Sequence, residues 1–104
     1  MTRGEIWWAE LPAPVGRRPV VLVSRAAAYT VRASVTVAPV TRTIRGIPTE
    51  VVLERGDGVG TRCAINADDL TTIPKSLLSR RLTALSPDRL AELDAAIRFA
   101  LDLR

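Results

Sequence analysis

Residues Gly16-Arg17-Arg18-Pro19-Val20-Val21-Leu22-Val23-Ser24 constrain this chain more than any other stretch. Two arginines stand before a proline, and the proline opens an uninterrupted apolar run rich in β-branched residues. Such a run is too short for a helix and predicts a strand buried on both faces. Proline is tolerated at the first strand position because it need not donate to the ladder there. The next run, Ala33-Ser34-Val35-Thr36-Val37-Ala38-Pro39-Val40, ends against Thr41-Arg42-Thr43. If the two runs pair antiparallel around the segment Arg25 to Arg32, with Ser24 facing Val35, then Arg18 lies opposite Thr41. Directly paired residues have Cβ atoms only ~4.5–5.5 Å apart. That register sets a guanidinium beside a hydroxyl at the strand ends, with further arginines behind them.

The remaining segments predict short strands and one helix. Residues 4–9 form a first strand with Ile6 and Trp8 on one face and Glu5 and Trp7 on the other. Adjacent tryptophans project to opposite sides. One packs in the core in the ordinary way, and Trp8 is the candidate stacking surface for a base, with two half-buried aromatics as the alternative. Glu10 to Gly16 is a Pro/Gly-punctuated loop. Thr49 to Leu53 is a strand, and Glu54 to Gly60 a turn-rich, mobile loop. Thr61 to Ala64 and Asp69 to Ile73 read as strands bracketing Asn66, Pro74 to Leu78 as one helical turn, and Arg80 to Leu85 as the last strand. Ser86 as N-cap, Pro87 at the first helical position and Asp88 at the positive end of the dipole mark a terminal helix. Leu90, Leu93, Ile97, Ala100 and Leu101 are its apolar stripe, and Asp94 and Arg98 an i,i+4 pair. This order predicts a mainly β, partly open barrel closed by a C-terminal helix, a single domain over residues 1–104.

Charge narrows the partners. Of 15 basic residues, 14 are arginine; residues 1–48 carry a net +5 and residues 49–104 a net −1. Arginine forks match phosphate oxygens and stack on bases, so the basic half suits a polyanion. The single cysteine, Cys63, excludes an internal disulfide and fits a reducing cytoplasm. No stretch approaches a membrane span, and the N-terminus lacks a signal-type apolar region, so a cytoplasmic location is expected.

Absent residue types exclude most catalytic chemistries. Without histidine there is no Ser-His-Asp or Cys-His machinery and no histidine metal ligand. One cysteine cannot build a thiolate zinc site, and Gly56-Asp57-Gly58-Val59-Gly60 lacks the Lys-Ser/Thr of a phosphate loop. Asp68 and Asp69 diverge as neighbours on a strand and make a poor two-metal clamp. No cofactor and no metal site is expected. Arginine, threonine and asparagine remain. They suit a reaction whose substrate brings its own nucleophile: RNA cleavage by the ribose 2′-hydroxyl, where the protein aligns the backbone and stabilises charge on the phosphorane. Arginine is a poor general base, since its pKa exceeds about 12. Arg18 and Thr41 are therefore the candidate catalytic pair. Arg17, Arg42, Asn66 and Trp8 are candidate RNA contacts. A structural ion pair of Arg18 with Glu5 or Glu10, and a turn role for Asn66, are the competing readings.

Five segments in order resemble the MazF/PemK toxin family: Arg3-Gly4-Glu5-Ile6-Trp7-Trp8, Arg18-Pro19-Val20-Val21-Leu22-Val23, Val37-Ala38-Pro39-Val40-Thr41, Asn66-Ala67-Asp68-Asp69-Leu70-Thr71-Thr72-Ile73, and Lys75-Ser76 with Leu85-Ser86. The resemblance implies an SH3-like barrel of the CcdB/PemK type and a homodimer. It also implies a metal-independent, sequence-selective endoribonuclease that leaves 2′,3′-cyclic phosphate and 5′-hydroxyl ends and is neutralised by a cognate antitoxin. It places the Arg before Pro at Arg18 and the strand-closing Thr at Thr41. Cys63 stands where serine is common, Asp69 where an amide is common and Leu77 where arginine is common, and the short Glu10–Arg17 loop lacks an acidic residue that some members carry there. Two alternatives remain: a gyrase-poisoning toxin of the same fold without nuclease activity, and a non-catalytic nucleic-acid-binding barrel.

Overall fold

The computed structural model describes all 104 residues. Its strands are β1 Glu5–Glu10, β2 Arg17–Leu22, β3 Ser34–Thr41, β4 Glu50–Leu53, β5 Cys63–Asn66, β6 Thr71–Pro74 and β7 Leu78–Ala84. A single-turn helix α1 spans Ala28–Val31, and α2 spans Pro87–Ala100. All strand pairs are antiparallel, in the order β4-β5-β3-β2-β1-β7. The long strand β3 holds β2 along one edge and divides its other edge between β6 and β5. That division bends the sheet into a partly open barrel, with α2 packed across one face.

The expected central pairing is present. Val20 lies opposite Pro39, Val21 opposite Ala38 and Leu22 opposite Val37. The paired register ends at Val20 and Pro39, two residues short of Arg18 and Thr41. β2 is buried on both faces, because Val21 joins one core while Val20 and Leu22 join another. The first core gathers Ile6, Val21, Ala38, Leu53, Ile65 and Leu93 beneath α2. The second gathers Ala9, Leu22, Tyr29, Val35, Val37 and Leu78. Fully burying each valine, leucine or isoleucine among them contributes about 1.5–3 kcal/mol. A one-residue slip of β2 would exchange its contributions to both cores, so the register is strongly specified.

Several details differ from the sequence expectation. β5 begins at Cys63 rather than Thr61 and carries Asn66 as its last residue, because Cys63, Ala64, Ile65 and Asn66 are all buried against β4. A 3₁₀ turn, Ala67–Asp69, replaces the start expected for β6, and the Asn66 side chain accepts from the Asp68 amide to cap it. β7 starts at Leu78, where burial in the second core pulls it onto β1. In α2, Ser86 accepts from the Arg89 amide as the predicted N-cap. Ala96 joins Leu93 in the core, whereas Leu101 ends up exposed at the helix end. The Asp94–Arg98 pair does not form. Asp94 instead meets Arg3 at 2.8 Å, since the Gly4 amide donates to the Leu22 carbonyl and brings the N-terminal segment against α2.

The Glu54–Gly60 loop, expected to be mobile, is tied down. Across its 3₁₀ turn Arg55–Asp57 the Glu54 amide donates to the Asp57 carboxylate and the Asp57 amide to the Glu54 carbonyl. The Asp57 carboxylate also accepts from Arg89 of α2 at 3.1 and 3.2 Å. Gly58 adopts φ +89, and a Cβ there would stand 2.6 Å from the Thr83 Oγ1, so both backbone conformation and close approach require glycine.

Candidate active site

A cleft of about 320 Å³ opens at the Arg17–Thr41 end of the β2–β3 pair. Trp8, Arg17, Arg18, Thr41 and Arg42 all line it, so five of the six residues singled out from sequence converge on one surface. Asn66 does not line it. It sits at the far end of β5 from Cys63, 8% exposed, with its side chain committed to the Asp68 amide and to the Asp69 carboxylate at 2.9 Å.

Each arginine has its own surroundings. Arg17 holds its guanidinium 4.5 Å from the centre of the Trp8 ring and meets Glu10 at 3.3 Å. Both partners of that ion pair are about half exposed, so it contributes at most ~1 kcal/mol, with the cation–π contact adding ~0.5–1 kcal/mol. Glu5, the other candidate partner for Arg18, is taken by Arg81 at 2.9 Å and by the Trp7 indole at 3.1 Å. Burial raises the Glu5 pKa, but the hydrogen bonds from Trp7, the Thr2 amide and Arg81 outweigh it and hold the carboxyl below its usual range. With both acids occupied, Arg18 is half-buried and free of any ion pair. Its donors face the cleft unused.

Thr41 ends β3 and pairs with Ala64 of β5, which fixes its backbone. Its Oγ1 accepts from the Thr43 amide at 3.1 Å. That bond uses a lone pair and leaves the hydroxyl proton for an oxygen in the cleft. A strand-end threonine that bonds the backbone and a site threonine are thus the same residue here.

The opposed tryptophans divide as the alternation requires. Trp7 packs on the second core, and Trp8 forms a wall of the cleft. Three further lining residues, Val59, Thr61 and Cys63, had no functional signal in the sequence. Val59 and Thr61 arrive because Arg89 anchors the preceding turn through Asp57, a contact spanning 32 positions. Cys63 lies 4% exposed at the cleft floor. Burial, together with the nearby Asp57 and Glu54 charges, pushes its thiol pKa up, so it sits there as a small apolar group rather than a nucleophile. No group of three or more His, Cys, Asp or Glu side chains is arranged to hold a metal ion.

Comparison with known proteins identifies the family. Residues 2–101 match the model of the PemK-like, MazF-like toxin of type II toxin–antitoxin systems. The Mycobacterium tuberculosis H37Rv protein named probable endoribonuclease MazF5 is 44% identical over 101 residues, covering 96% of this chain and 92% of the relative. The solved Mycobacterium tuberculosis toxin MazF-mt6 superimposes with a TM-score of 0.88 at 33% identity, over 96% of this chain and 98% of that one. A mycobacterial endoribonuclease in complex with its cognate antitoxin gives a TM-score of 0.89 at 28% identity, over 100% of this chain and 97% of that one. On the match over residues 2–101, the chain belongs to the PemK-like, MazF-like toxin family of type II toxin–antitoxin systems.

Proposed function

We infer that this chain, acting as one toxin domain over residues 1–104, is a sequence-selective endoribonuclease that cleaves single-stranded RNA without a metal. The observation that carries the reading is the convergence of the Arg18 guanidinium, free of any ion pair, and Thr41 on one cleft walled by Trp8. Relatives named endoribonuclease, spanning most of this chain, support the reaction class over a gyrase-contact toxin or a passive nucleic-acid-binding barrel.

In the proposed reaction the ribose 2′-oxygen attacks the adjacent phosphorus. The phosphorus–2′-oxygen bond forms as the phosphorus–5′-oxygen bond breaks. The 2′-hydroxyl proton leaves to solvent, and the departing 5′-oxygen takes one back. The products are a 2′,3′-cyclic phosphate and a 5′-hydroxyl. Arg18 donates to the non-bridging oxygens as charge builds on the phosphorane, and Thr41 donates to a non-bridging or leaving oxygen. Arg17 and Arg42 hold flanking phosphates, and Trp8 stacks a base. The toxin works as a cytoplasmic homodimer and is neutralised by a cognate antitoxin, in keeping with the solved relative described in complex with its own.

The test is incubation of the purified chain with mixed-sequence RNA in excess EDTA, followed by analysis of fragment ends. Cyclic-phosphate and 5′-hydroxyl ends are expected. Intact RNA, or cleavage that EDTA abolishes, would overturn the assignment.

A further inference from the structure

Two consecutive arginines, Arg80 and Arg81, stand on β7, the strand next to β1 at the end of the sheet. Successive residues of a strand point to opposite faces, so the two meet different surroundings. Arg81 pairs with Trp7 across the β1–β7 ladder and donates from Nε to Glu5 at 2.9 Å. Its charge is answered within the chain. Arg80 pairs with Trp8, the residue that walls the Arg18 cleft. Directly opposed residues hold their Cβ atoms only ~4.5–5.5 Å apart, so the Arg80 side chain starts beside that of Trp8. Arg80 is exposed and makes no ion pair.

The nearby acid is already engaged. Glu10 lies two residues beyond Trp8 on the same face of β1 and meets Arg17 at 3.3 Å. A bulge leaves Ser79 without a partner in the ladder, since Trp8 faces Arg80 while Ala9 faces Leu78. The Ser79 hydroxyl donates to Glu10 at 3.3 Å. Arg80 is thus left with no counter-ion beside the tryptophan wall. Cys63 on β5, Thr41 on β3, Arg18 on β2 and Trp8 on β1 line the cleft in the order of the sheet. Arg80 on β7 is the next step along that line, ~4.8 Å further on.

We propose that Arg80 holds a backbone phosphate of single-stranded RNA beyond the nucleotide stacked on Trp8, so that the substrate track runs from the Arg18 cleft across β1 onto β7. The identity of the strand rests on the nuclease reading above. An unmatched guanidinium is the chemical complement of a phosphate, which it grips through two parallel N–H donors. A charge kept only to guard an edge strand against pairing would act the same on any ligand, whatever its length.

The experiment measures anisotropy of fluorescein-labelled, mixed-sequence 2′-O-methyl oligoribonucleotides, which lack the attacking hydroxyl, over a series of salt concentrations. Two lengths, about four and about twelve nucleotides, bracket the footprint of a small single-strand-binding domain. The wild type is expected to bind the longer one more tightly. Arg80→Gln should weaken the longer one about three- to tenfold and make its plot of log K against log salt shallower by about 0.7, with the shorter one changed less than about twofold. Arg80→Lys should keep the wild-type slope, because it keeps a point charge. Arg32→Gln removes another exposed, unpaired arginine, just before the other end of β3, and should leave affinity and slope unchanged. An unchanged slope in Arg80→Gln overturns the proposal. So does an equal loss on both lengths, which would put Arg80 inside the cleft, or an equal loss in Arg32→Gln, which would make the effect one of net charge. A wild type that binds both lengths but never cuts unmodified RNA removes the nuclease reading and leaves the Arg80 comparison readable; one that binds neither removes both.

Discussion

Arg89→Met isolates the contact that holds one wall of the cleft beside Arg18. Arg89 donates from Nε to both Asp57 oxygens at 3.1 and 3.2 Å and from Nη1 to Glu92 at 2.9 Å. Its side chain is 27% exposed and that of Asp57 15%, so the Asp57 contact is partly shielded. Methionine keeps the aliphatic stem and removes the fork. Asp57 is then left with the Glu54 amide at 2.8 Å. Hydrogen bonds to charged groups contribute ~1.5–3 kcal/mol when buried and ~0.2–1 kcal/mol when exposed, which brackets the loss at about 1–2 kcal/mol. For a domain of this size each kcal/mol moves Tm by about 4–8 °C, so a drop of roughly 5–15 °C is expected. Acid provides the internal control. The Arg89 hydrogen bonds, then the Glu54 amide, hold Asp57 below the usual carboxylate range despite some burial. A depressed carboxyl contributes its stability above its unfolded pKa and loses it as pH falls through the folded one. The gap in Tm between wild type and variant should therefore be full near pH 7 and shrink below about pH 4. Thermal unfolding followed by circular dichroism across that range decides it. An unchanged Tm at pH 7, or a gap that persists undiminished at pH 3, refutes the reasoning.

Other perturbations probe separate parts of the account. Leu93→Ala empties a fully buried position under α2 and should cost about 2–5 kcal/mol in denaturant unfolding; a loss below 1 kcal/mol would mean α2 does not seal that core. Trp8→Ala removes the stacking wall and should raise the RNA KM by about tenfold with little change in kcat, whereas an unchanged KM removes Trp8 from the site. The chain contains no histidine, so the pH–rate profile should show no bell centred near pH 6.5, and a bell there would point to a different catalytic group.

The sequence made the centre of the molecule legible because its constraints are local. A run of β-branched residues after Pro19, a second run ending at Thr41 and one hydrophobic register suffice to bring Arg18 and Thr41 together. The terminal helix was equally legible, since Ser86, Pro87 and Asp88 carry capping chemistry that depends on few neighbours. What escaped were features decided by long-range partners. The Glu54–Gly60 loop has the composition of a mobile turn, and the contact of Asp57 with Arg89, far along the chain, holds it against α2. The start of β5 was misplaced for the same reason, since pairing with β4 rather than local propensity selects Cys63. Asp94 had a good helical partner in Arg98 and found a tertiary one in Arg3. Asn66 had the right residue type for a site, but its side chain is spent on capping its own turn.

The most direct test of the central claim is single-turnover RNA cleavage by Arg18→Ala at saturating protein, with Thr41→Val alongside and folding confirmed by Tm. Removing one preorganised donor to a developing oxyanion costs about 10²–10³ in rate. The account predicts a loss of that order for Arg18→Ala, a smaller one for Thr41→Val, and a Tm within a few degrees of wild type for both. Cleavage by folded Arg18→Ala at the wild-type rate would contradict it.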